Sequence, residues 1–225
     1  MKSALFELVR LIAAGDTTEV SRRLAADSAL ATMRSDVGAT RQQAADFFLA
    51  DIAHYCYAGD TALHIAAAAF RRPVAERLVA HGADCRAKNR RGAEPLHYAA
   101  DKNHWNPAAQ AEVIEYLVSV GADPNAVDRG GASPLHRAVR TRSAAAVRAL
   151  LDAGANPRQR NKSGSTPLHL AVQSTGRGGA GSPGALQQQA SIIAMLLERG
   201  AKPTDRDGRG KQARHAATKW ARALL

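Results

Sequence analysis

The sequence has few aromatic residues and few cysteines. Phe, Trp and Tyr together make up 4% of the 225 residues, and the two cysteines are Cys56 and Cys85. Two cysteines provide no disulfide framework, so we expect free thiols in a reducing compartment. No run of residues approaches the roughly 20 apolar positions of a membrane span. Because Glu7 and Arg10 interrupt the first apolar run, the sequence does not predict a secretory signal.

These absences favour a cytoplasmic protein without a membrane partner, and the alternative is signal-independent export, as used by injected bacterial effectors. Motifs for catalysis are also lacking: Cys-x-x-Cys, His-Glu-x-x-His and Gly-x-Ser-x-Gly do not occur. Gly176, Gly178 and Gly181 spell G-x-G-x-x-G, but this stretch follows a helix instead of a strand, so it does not predict a nucleotide site. The sequence therefore predicts a protein that is not an enzyme and that holds no cofactor and no metal.

What the sequence does contain is a short motif that recurs. The copies are GDTALH at 59–64, GAEPLH at 92–97, GASPLH at 131–136 and GSTPLH at 164–169, with a degenerate GKQARH at 210–215. The motif histidines are 33, 39, 33 and 46 residues apart, and the Gly-Ala pairs that begin at 82, 121, 154 and 200 follow the same spacing of 39, 33 and 46. Because two independent markers share the same spacing, they indicate a 33-residue repeat, of which one copy carries an insertion of 6 residues and another an insertion of 13.

A period of 33 residues predicts a solenoid of stacked helical repeats. The motif resembles the ankyrin repeat over roughly residues 56–225, which implies an all-α solenoid of helix-turn-helix repeats with loop or β-hairpin fingers and capping repeats at both ends. Thr61, Ser133 and Thr166 occupy the position that caps the first helix of a repeat. Glu94 stands at that position in the second repeat, where we expect the helix to start less firmly.

The predicted organisation follows from the motif positions. Residues 1–27 are expected to form a capping helix pair, and 28–55 an insertion in which residues 40–54 add a helix with an apolar side of Phe47, Phe48, Leu49 and Ile52. Repeats are predicted at 56–88, at 89–127 with an insertion near 103–108, at 128–160, and at 161–206 with a Gly-rich insertion at 176–184. Residues 207–225 are the expected C-terminal cap, because Arg214 replaces a leucine that would otherwise be buried.

The motif histidines do not predict a metal or catalytic site. Each stands in the first turn of an inner helix, where an imidazole can connect the turn of one repeat to the next repeat. Neighbouring motif histidines are separated by roughly 10 Å, too far to share an ion whose ligands bind at about 2 Å. We therefore expect these five histidines to be structural.

The chain carries a formal charge of +11, and its 31 basic residues comprise 24 Arg and seven Lys. Codon bias in a GC-rich genome is one explanation of that excess. The family resemblance implies that partners bind the finger tips and the exposed side of each first helix. The basic residues at those positions are Lys88, Arg90, Arg91, Lys102, Arg129, Arg140, Arg160, Lys162, Arg206, Arg209 and Lys211. Such a row favours an acidic partner, because Arg binds carboxylate or phosphate through paired hydrogen bonds; an ordinary solvated surface is the alternative.

Four aromatic residues are further candidates for partner binding, because aromatic anchors dominate interface energetics. They are Tyr55, Tyr57, Trp105 and Trp220; local packing is the alternative for Tyr55, Tyr57 and Trp105. The sequence thus predicts a non-enzymatic scaffold or adaptor, preferably monomeric, that binds an acidic protein through a basic concave face. Nucleic-acid binding through the same Arg and Lys row is the alternative, although few aromatics are available for base stacking.

Overall fold

The computed structural model describes residues 4–101, 106–173, 183–217 and 219–225. The chain divides into two compact units, Met1–Asp123 and Pro124–Leu225. Within the described ranges, no helix combines the length and the apolar character that crossing a bilayer requires.

The first unit consists of three consecutive helix pairs. Helix α3 packs against both α1 and α5, and α4 packs against α2 and α6, so the inner and the outer helices each form a row. The predicted N-terminal pair is thus stacked on the first repeat. Among its described residues the helices are α1 (Ala4–Ala14), α2 (Thr17–Ala26), α3 (Ala62–Ala68), α4 (Arg72–Ala80), α5 (Pro95–Ala99) and α6 (Pro107–Ser119).

The second unit repeats this arrangement. Helix α7 packs against α8 and α9, α10 packs against α8 and α9, and α9 packs against α11. Its helices are α7 (Pro134–Arg140), α8 (Ala144–Asp152), α9 (Pro167–Ala171), α10 (Pro183–Glu198), α11 (Ala213–Ala216) and α12 (Lys219–Arg222). Paired, stacked helices confirm the all-α repeat fold that the motif spacing predicts.

The core of each unit is built by the same motif positions. The motif leucines Leu63, Leu96, Leu135 and Leu168 are all completely buried, and burying one leucine contributes roughly 1.5–3 kcal/mol. Small residues such as Ala66 and Ala99 beside them let successive helices pack closely. In the last copy Arg214 is exposed, as predicted for a terminal repeat. Gly82, with φ of +87°, supplies the left-handed residue that ends α4.

Three of the five motif histidines, His64, His136 and His169, connect successive repeats as the sequence predicts, whereas His215 in the last copy is exposed. In each of three repeats, the imidazole Nδ1 accepts a hydrogen bond from the main-chain N–H of the capping residue, so Nε2 carries the proton and donates to a carbonyl of the next finger. The Nδ1 contacts are His64 to Thr61 (3.1 Å), His136 to Ser133 (3.2 Å) and His169 to Thr166 (3.2 Å). The Nε2 contacts are His64 to Ala93 (3.1 Å), His136 to Ser165 (3.0 Å) and His169 to Lys211 (3.1 Å).

The insertion over residues 28–55 differs from the prediction. The prediction of a helix over Thr40–His54 is wrong. Residues 45–55 instead form 3₁₀ turns at Ala45–Phe47 and Ala50–Ile52 and a two-stranded hairpin. Its strands β1 (Phe48–Leu49) and β2 (His54–Tyr55) are antiparallel, with Phe48 opposite Tyr55.

The apolar residues of that insertion alternate between two faces, which is why one helical face was the wrong interpretation. Leu49 and Ile52 are buried, whereas Phe48 is 42% exposed. The ring of Phe47 meets Phe6 edge-on at 5.7 Å. A backbone hydrogen bond from Cys56 N to Phe47 O (2.9 Å) joins the two arms of the hairpin. A short apolar run does not distinguish a strand from a helix by periodicity alone.

Glu94 takes the same capping geometry as the Thr and Ser of the other repeats. Its main-chain N–H donates to His97 Nδ1 at 3.1 Å. Its side chain, however, is buried: the residue is 3% exposed, Oε1 lies 3.7 Å from Lys88 Nζ, and Oε2 has no hydrogen-bond partner among the described residues. Burial raises the pKa of the Glu94 carboxyl above its usual value. The unfavourable contribution to stability at this repeat therefore comes from the buried Glu94 carboxylate and not from the start of the helix.

We expect Glu94→Thr to increase the free energy of unfolding by about 1 kcal/mol at pH 7, because it keeps a capping oxygen at the start of the helix and removes a buried, half-paired carboxylate. Protonation of Glu94 relieves the same penalty. The gain should therefore shrink as the pH falls through the raised pKa towards the usual value near 4.5. Denaturant unfolding at several pH values measures this, and a gain that does not depend on pH would contradict the role given to the charge.

We expect His136→Ala to reduce the free energy of unfolding by about 2–4 kcal/mol, because it leaves a buried N–H and a buried carbonyl unpaired and opens a cavity. The exposed His215 is the matched control, and His215→Ala should cost under about 0.5 kcal/mol. Burial lowers the pKa of His136. Its contribution is thus complete above the unfolded value of about 6.5 and is lost as the pH falls below it. Unfolding curves between pH 5 and 8 should show this slope in the wild type and a smaller one in His136→Ala.

Candidate functional site

The second finger and those after it are each organised by one Asn or Asp side chain that binds its own loop. Asn89 Oδ1 accepts hydrogen bonds from the N–H groups of Arg91 (2.8 Å) and Ala93 (3.1 Å). The equivalent oxygens of Asp128, Asn161 and Asp207 each accept the same two bonds within their own fingers. These residues were not predicted from the sequence, although each stands three positions before a motif glycine.

Backbone hydrogen bonds hold neighbouring finger tips side by side within each unit. In the first unit Arg90 N donates to Ala58 O at 2.9 Å; in the second, Lys162 N donates to Gly130 O at 3.0 Å and Gly208 N to Ser163 O at 2.9 Å. The tips approach so closely that a methyl group at Gly164, where φ is +71°, would overlap the backbone of Gly208. The tip residues Arg90, Arg129, Lys162 and Arg209 are all exposed.

A buried polar network joins the first two fingers. Asp60 is 1% exposed, and its carboxylate accepts hydrogen bonds from Tyr98 Oη (2.9 Å), Asn89 Nδ2 (2.8 Å) and the main-chain N–H of Tyr57 (2.6 Å). Asn89 Nδ2 also donates to Tyr98 Oη at 2.9 Å. Since Asn89 binds the main chain of its own finger as well, this network fixes the finger that carries Arg90 and Arg91.

Both cysteines are free thiols, as expected from the sequence. Cys56 is buried beside Asp60, and this burial, followed by the carboxylate's charge, raises the pKa of the thiol to about 12. Cys85 is half-buried, and burial raises its pKa as well. Neither thiol is therefore ionised near neutral pH, so neither is an activated nucleophile.

A cleft of about 430 Å³ opens beside the second finger of the first unit. Its lining contains three arginines and two tyrosines and no carboxylate. We call it the Arg-Tyr cleft, and its lining residues are Ala39, Thr40, Arg41, Ala44, Tyr55, Tyr57, Arg90 and Arg91. Four of the residues predicted from sequence are brought together here: Tyr55, Tyr57, Arg90 and Arg91.

The ring of Tyr57 organises two of these arginines. The guanidinium carbon of Arg91 lies 4.8 Å from the ring centroid, and that of Arg90 lies 5.7 Å from it. Arg90 Nη2 also donates to the carbonyl of Ala39. Tyr55, at 38% exposure, packs against Phe48 with the ring centroids 4.9 Å apart. Tyr55 thus packs against Phe48 and is also partly exposed to solvent. Arg41 was not predicted from the sequence. It lies in the 28–55 insertion, part of which was expected to form a helix.

The other predicted basic residues do not form one uniform row. Lys88 lies beside buried Glu94. Arg160 Nη1 donates to the carbonyls of Arg206 and Gly164, and Arg206 Nη1 donates to Gly210 O at 2.8 Å, so these two side chains brace the finger backbone. Arg129, Arg140 and Lys162 are exposed. Arg209 and Lys211 line a second cleft of about 530 Å³ in the second unit, together with Ser163, Ser165, Gln173, Asp207 and His215.

Three predicted residues cannot be placed in either cleft. Lys102 and Trp105 lie outside the described residues, as does most of the Gly-rich insertion at 176–184, and the side chain of Trp220 in α12 is likewise not described. In the ranges that the structure describes, no group of three or more His, Cys, Asp or Glu side chains is arranged to hold a metal ion.

A family model described as "Ankyrin repeats (3 copies)" matches residues 37–128 and 105–207, well over half of the chain. The chain belongs to the ankyrin-repeat family. Ankyrin repeats are protein-binding scaffolds in general and are typically non-catalytic. The first ankyrin match begins at residue 37, so it includes much of the 28–55 insertion that contributes Arg41 and Tyr55. A search of the curated proteins finds no match to the chain.

Asn89→Asp tests whether the buried network fixes the finger of the Arg-Tyr cleft. Aspartate at this ankyrin position preserves the loop contacts, as Asp128 and Asp207 show. At residue 89, however, it removes the donor to Asp60 and places a second carboxylate beside a buried one. We expect a loss of about 1–3 kcal/mol in the free energy of unfolding.

Asn161→Asp is the matched control, because Asn161 makes the same loop contacts in a half-buried setting. It should change the free energy of unfolding by less than about 0.5 kcal/mol. Equal effects of the two substitutions in denaturant unfolding would show that the Asp60 network does not stabilise the finger.

Proposed function

We propose that this ankyrin-repeat protein is a scaffold or adaptor that binds an acidic protein partner, and that the Arg-Tyr cleft is its principal contact in the first unit. The observation that carries the proposal is the composition of that cleft. Three guanidinium groups and two tyrosine rings line one concave surface, and the lining contains no carboxylate. Tyrosine and arginine are the residue types in which binding energy concentrates at protein interfaces.

The fixed positions of these side chains support the proposal. Arg90 and Arg91 lie over one tyrosine ring, and the finger that bears them is fixed by the Asn89 contacts. Side chains that are already ordered lose less conformational entropy on binding, which leaves more of the interaction energy as affinity. An arginine that stacks on an aromatic face keeps its in-plane N–H groups available for an acidic group.

Basic finger tips of the second unit support the choice of an acidic partner. Arg129, Lys162, Arg209 and Lys211 are exposed. Exposed cations of one sign attract an oppositely charged partner and raise its rate of association more than its final affinity. Arg160 and Arg206 contribute charge in the proposal but are chiefly engaged with the backbone. Four further residues remain candidate contacts: Lys102, Arg140, Trp105 and Trp220. Lys88 instead pairs with the carboxylate of Glu94.

The test is affinity capture from the native host, followed by mass spectrometry, with wild type and the double variant Arg90→Glu with Arg91→Glu. We expect the captured protein to be acidic and its retention to fall at least about tenfold, since one charge-assisted contact is worth roughly 1.5–3 kcal/mol and 1.4 kcal/mol is tenfold.

The matched control is Arg77→Glu with Arg148→Glu, which changes the net charge equally at exposed positions on the outer helices α4 and α8. It should retain the partner. Loss of capture in both variants would indicate general electrostatic attraction, and unchanged capture in both would remove the cleft from the interface. Retention that disappears after nuclease treatment and falls steeply with salt would instead indicate nucleic-acid binding.

A further inference from the structure

We infer that the Arg-Tyr cleft binds a phosphorylated side chain of the protein partner. This inference rests on the proposed function and specifies the chemistry that the cleft recognises. It begins from charge balance. Some arginines of the first unit have a carboxylate partner: Arg22 and Arg23 bind Glu19 at 2.5 and 2.9 Å, and Arg72 binds Glu76 at 2.8 Å. Others, such as Arg34 and Arg86, donate to a main-chain carbonyl instead.

The arginines of the cleft lack a carboxylate partner. Arg41, Arg90 and Arg91 form no ion pair with any residue in the described part of the chain, and Arg90 Nη2 donates only to the neutral carbonyl of Ala39. Three positive charges on one cleft repel each other, so an anion bound between them gains from all three. The cleft thus has the charge of an anion receptor whose counter-charge comes from another molecule.

The number of arginines favours a phosphate monoester over a carboxylate. A carboxylate has one charge and two oxygens, which one arginine fork satisfies. A phosphorylated side chain carries about −1.5 to −2 charges and three strong acceptor oxygens at pH 7. It is therefore the acidic group in proteins that makes use of several guanidinium groups at once.

The shape of the cleft also fits a modified side chain better than a free ion. Its volume of about 430 Å³ lies in the range of small-ligand sites, roughly 300–1,000 Å³, and is much larger than one phosphate needs. Ala39, Ala44 and the Tyr55 ring supply apolar walls for the stem of the side chain. Beyond Tyr55, the exposed ring of Phe48 extends the apolar surface for residues next to the modified one.

The first experiment measures binding of small probes by NMR, following the Nε–Hε signals of Arg41, Arg90 and Arg91. The probes are phenyl phosphate and benzoate, which share a ring and differ in the anionic group, at constant ionic strength and pH 7.5. We expect phenyl phosphate to shift the three signals along a saturable curve and to bind at least about tenfold more tightly than benzoate.

Two internal tests accompany this titration. Arg91→Lys keeps the charge but loses the planar fork, and should weaken phenyl phosphate binding about tenfold, whereas Arg77→Gln, an exposed position outside the cleft, should leave it unchanged. Binding should also weaken between pH 7.5 and 5.5, because the second phosphate pKa is about 6 whereas arginine stays charged. Equal affinity for benzoate, or shifts that do not saturate, would overturn the inference.

The second experiment identifies the source of the phosphate. Phosphatase treatment of the host lysate before capture should abolish retention of the partner by wild type. Retention that survives phosphatase yet is lost in the Arg90→Glu, Arg91→Glu variant would overturn the phosphate inference and leave the proposed function standing. A single-stranded oligonucleotide that displaces phenyl phosphate with a far higher affinity would overturn it in favour of a nucleic-acid ligand. Partner retention unaffected by the double variant would remove the proposed function itself.

Discussion

The imidazole bridge between repeats is the interaction on which the rest of this structure depends. A single repeat leaves the first N–H groups of its inner helix and the carbonyl of the next finger without partners. His64 and His136 satisfy both at once, because Nδ1 accepts from the capping residue and Nε2 donates across to the following repeat. Burial lowers the pKa of His136 and keeps its imidazole neutral, so at this repeat the bond that fixes the spacing also makes the stacking sensitive to acid.

Finger geometry follows from that spacing. Once the bridge fixes where the next finger begins, an Asn or Asp side chain closes the finger loop, and backbone bonds such as Lys162 N to Gly130 O align neighbouring tips. The residues left at the tips point to solvent because their loop is held from inside by the side chain of Asn161 or its equivalents. A sequence can therefore vary the tips freely, and in this chain they are predominantly basic.

Regular features of the chain could be predicted from sequence because each is local and recurs. The spacing of the motif histidines indicated the repeat, the buried leucines and the bridging role of His64 and His136. The insertion could not be predicted, since the choice of strand over helix at Phe48 depends on backbone contacts with Cys56 and on packing of Phe47 against Phe6.

The candidate site could be predicted only in part, for a similar reason. Counting basic residues at finger positions found Arg90 and Arg91, but it weighted Arg160 equally with them. Only the structure shows that the Arg160 guanidinium bonds the backbone of its own and the next finger, while that of Arg91 lies against Tyr57. Arg41 was missed because its position relative to the tips is set by the irregular chain between residues 34 and 55.

Stability and the geometry of the Arg-Tyr cleft are coupled in the first unit through Asn89. Its amide nitrogen supplies a donor to buried Asp60, and its oxygen holds the main chain of Arg91. An alanine at this position would both leave a buried carboxylate short of a donor and release the loop that presents two arginines. The Arg-Tyr cleft is therefore held by the same buried polar contacts that join the first two fingers, so the fold itself positions the loop that carries Arg90 and Arg91.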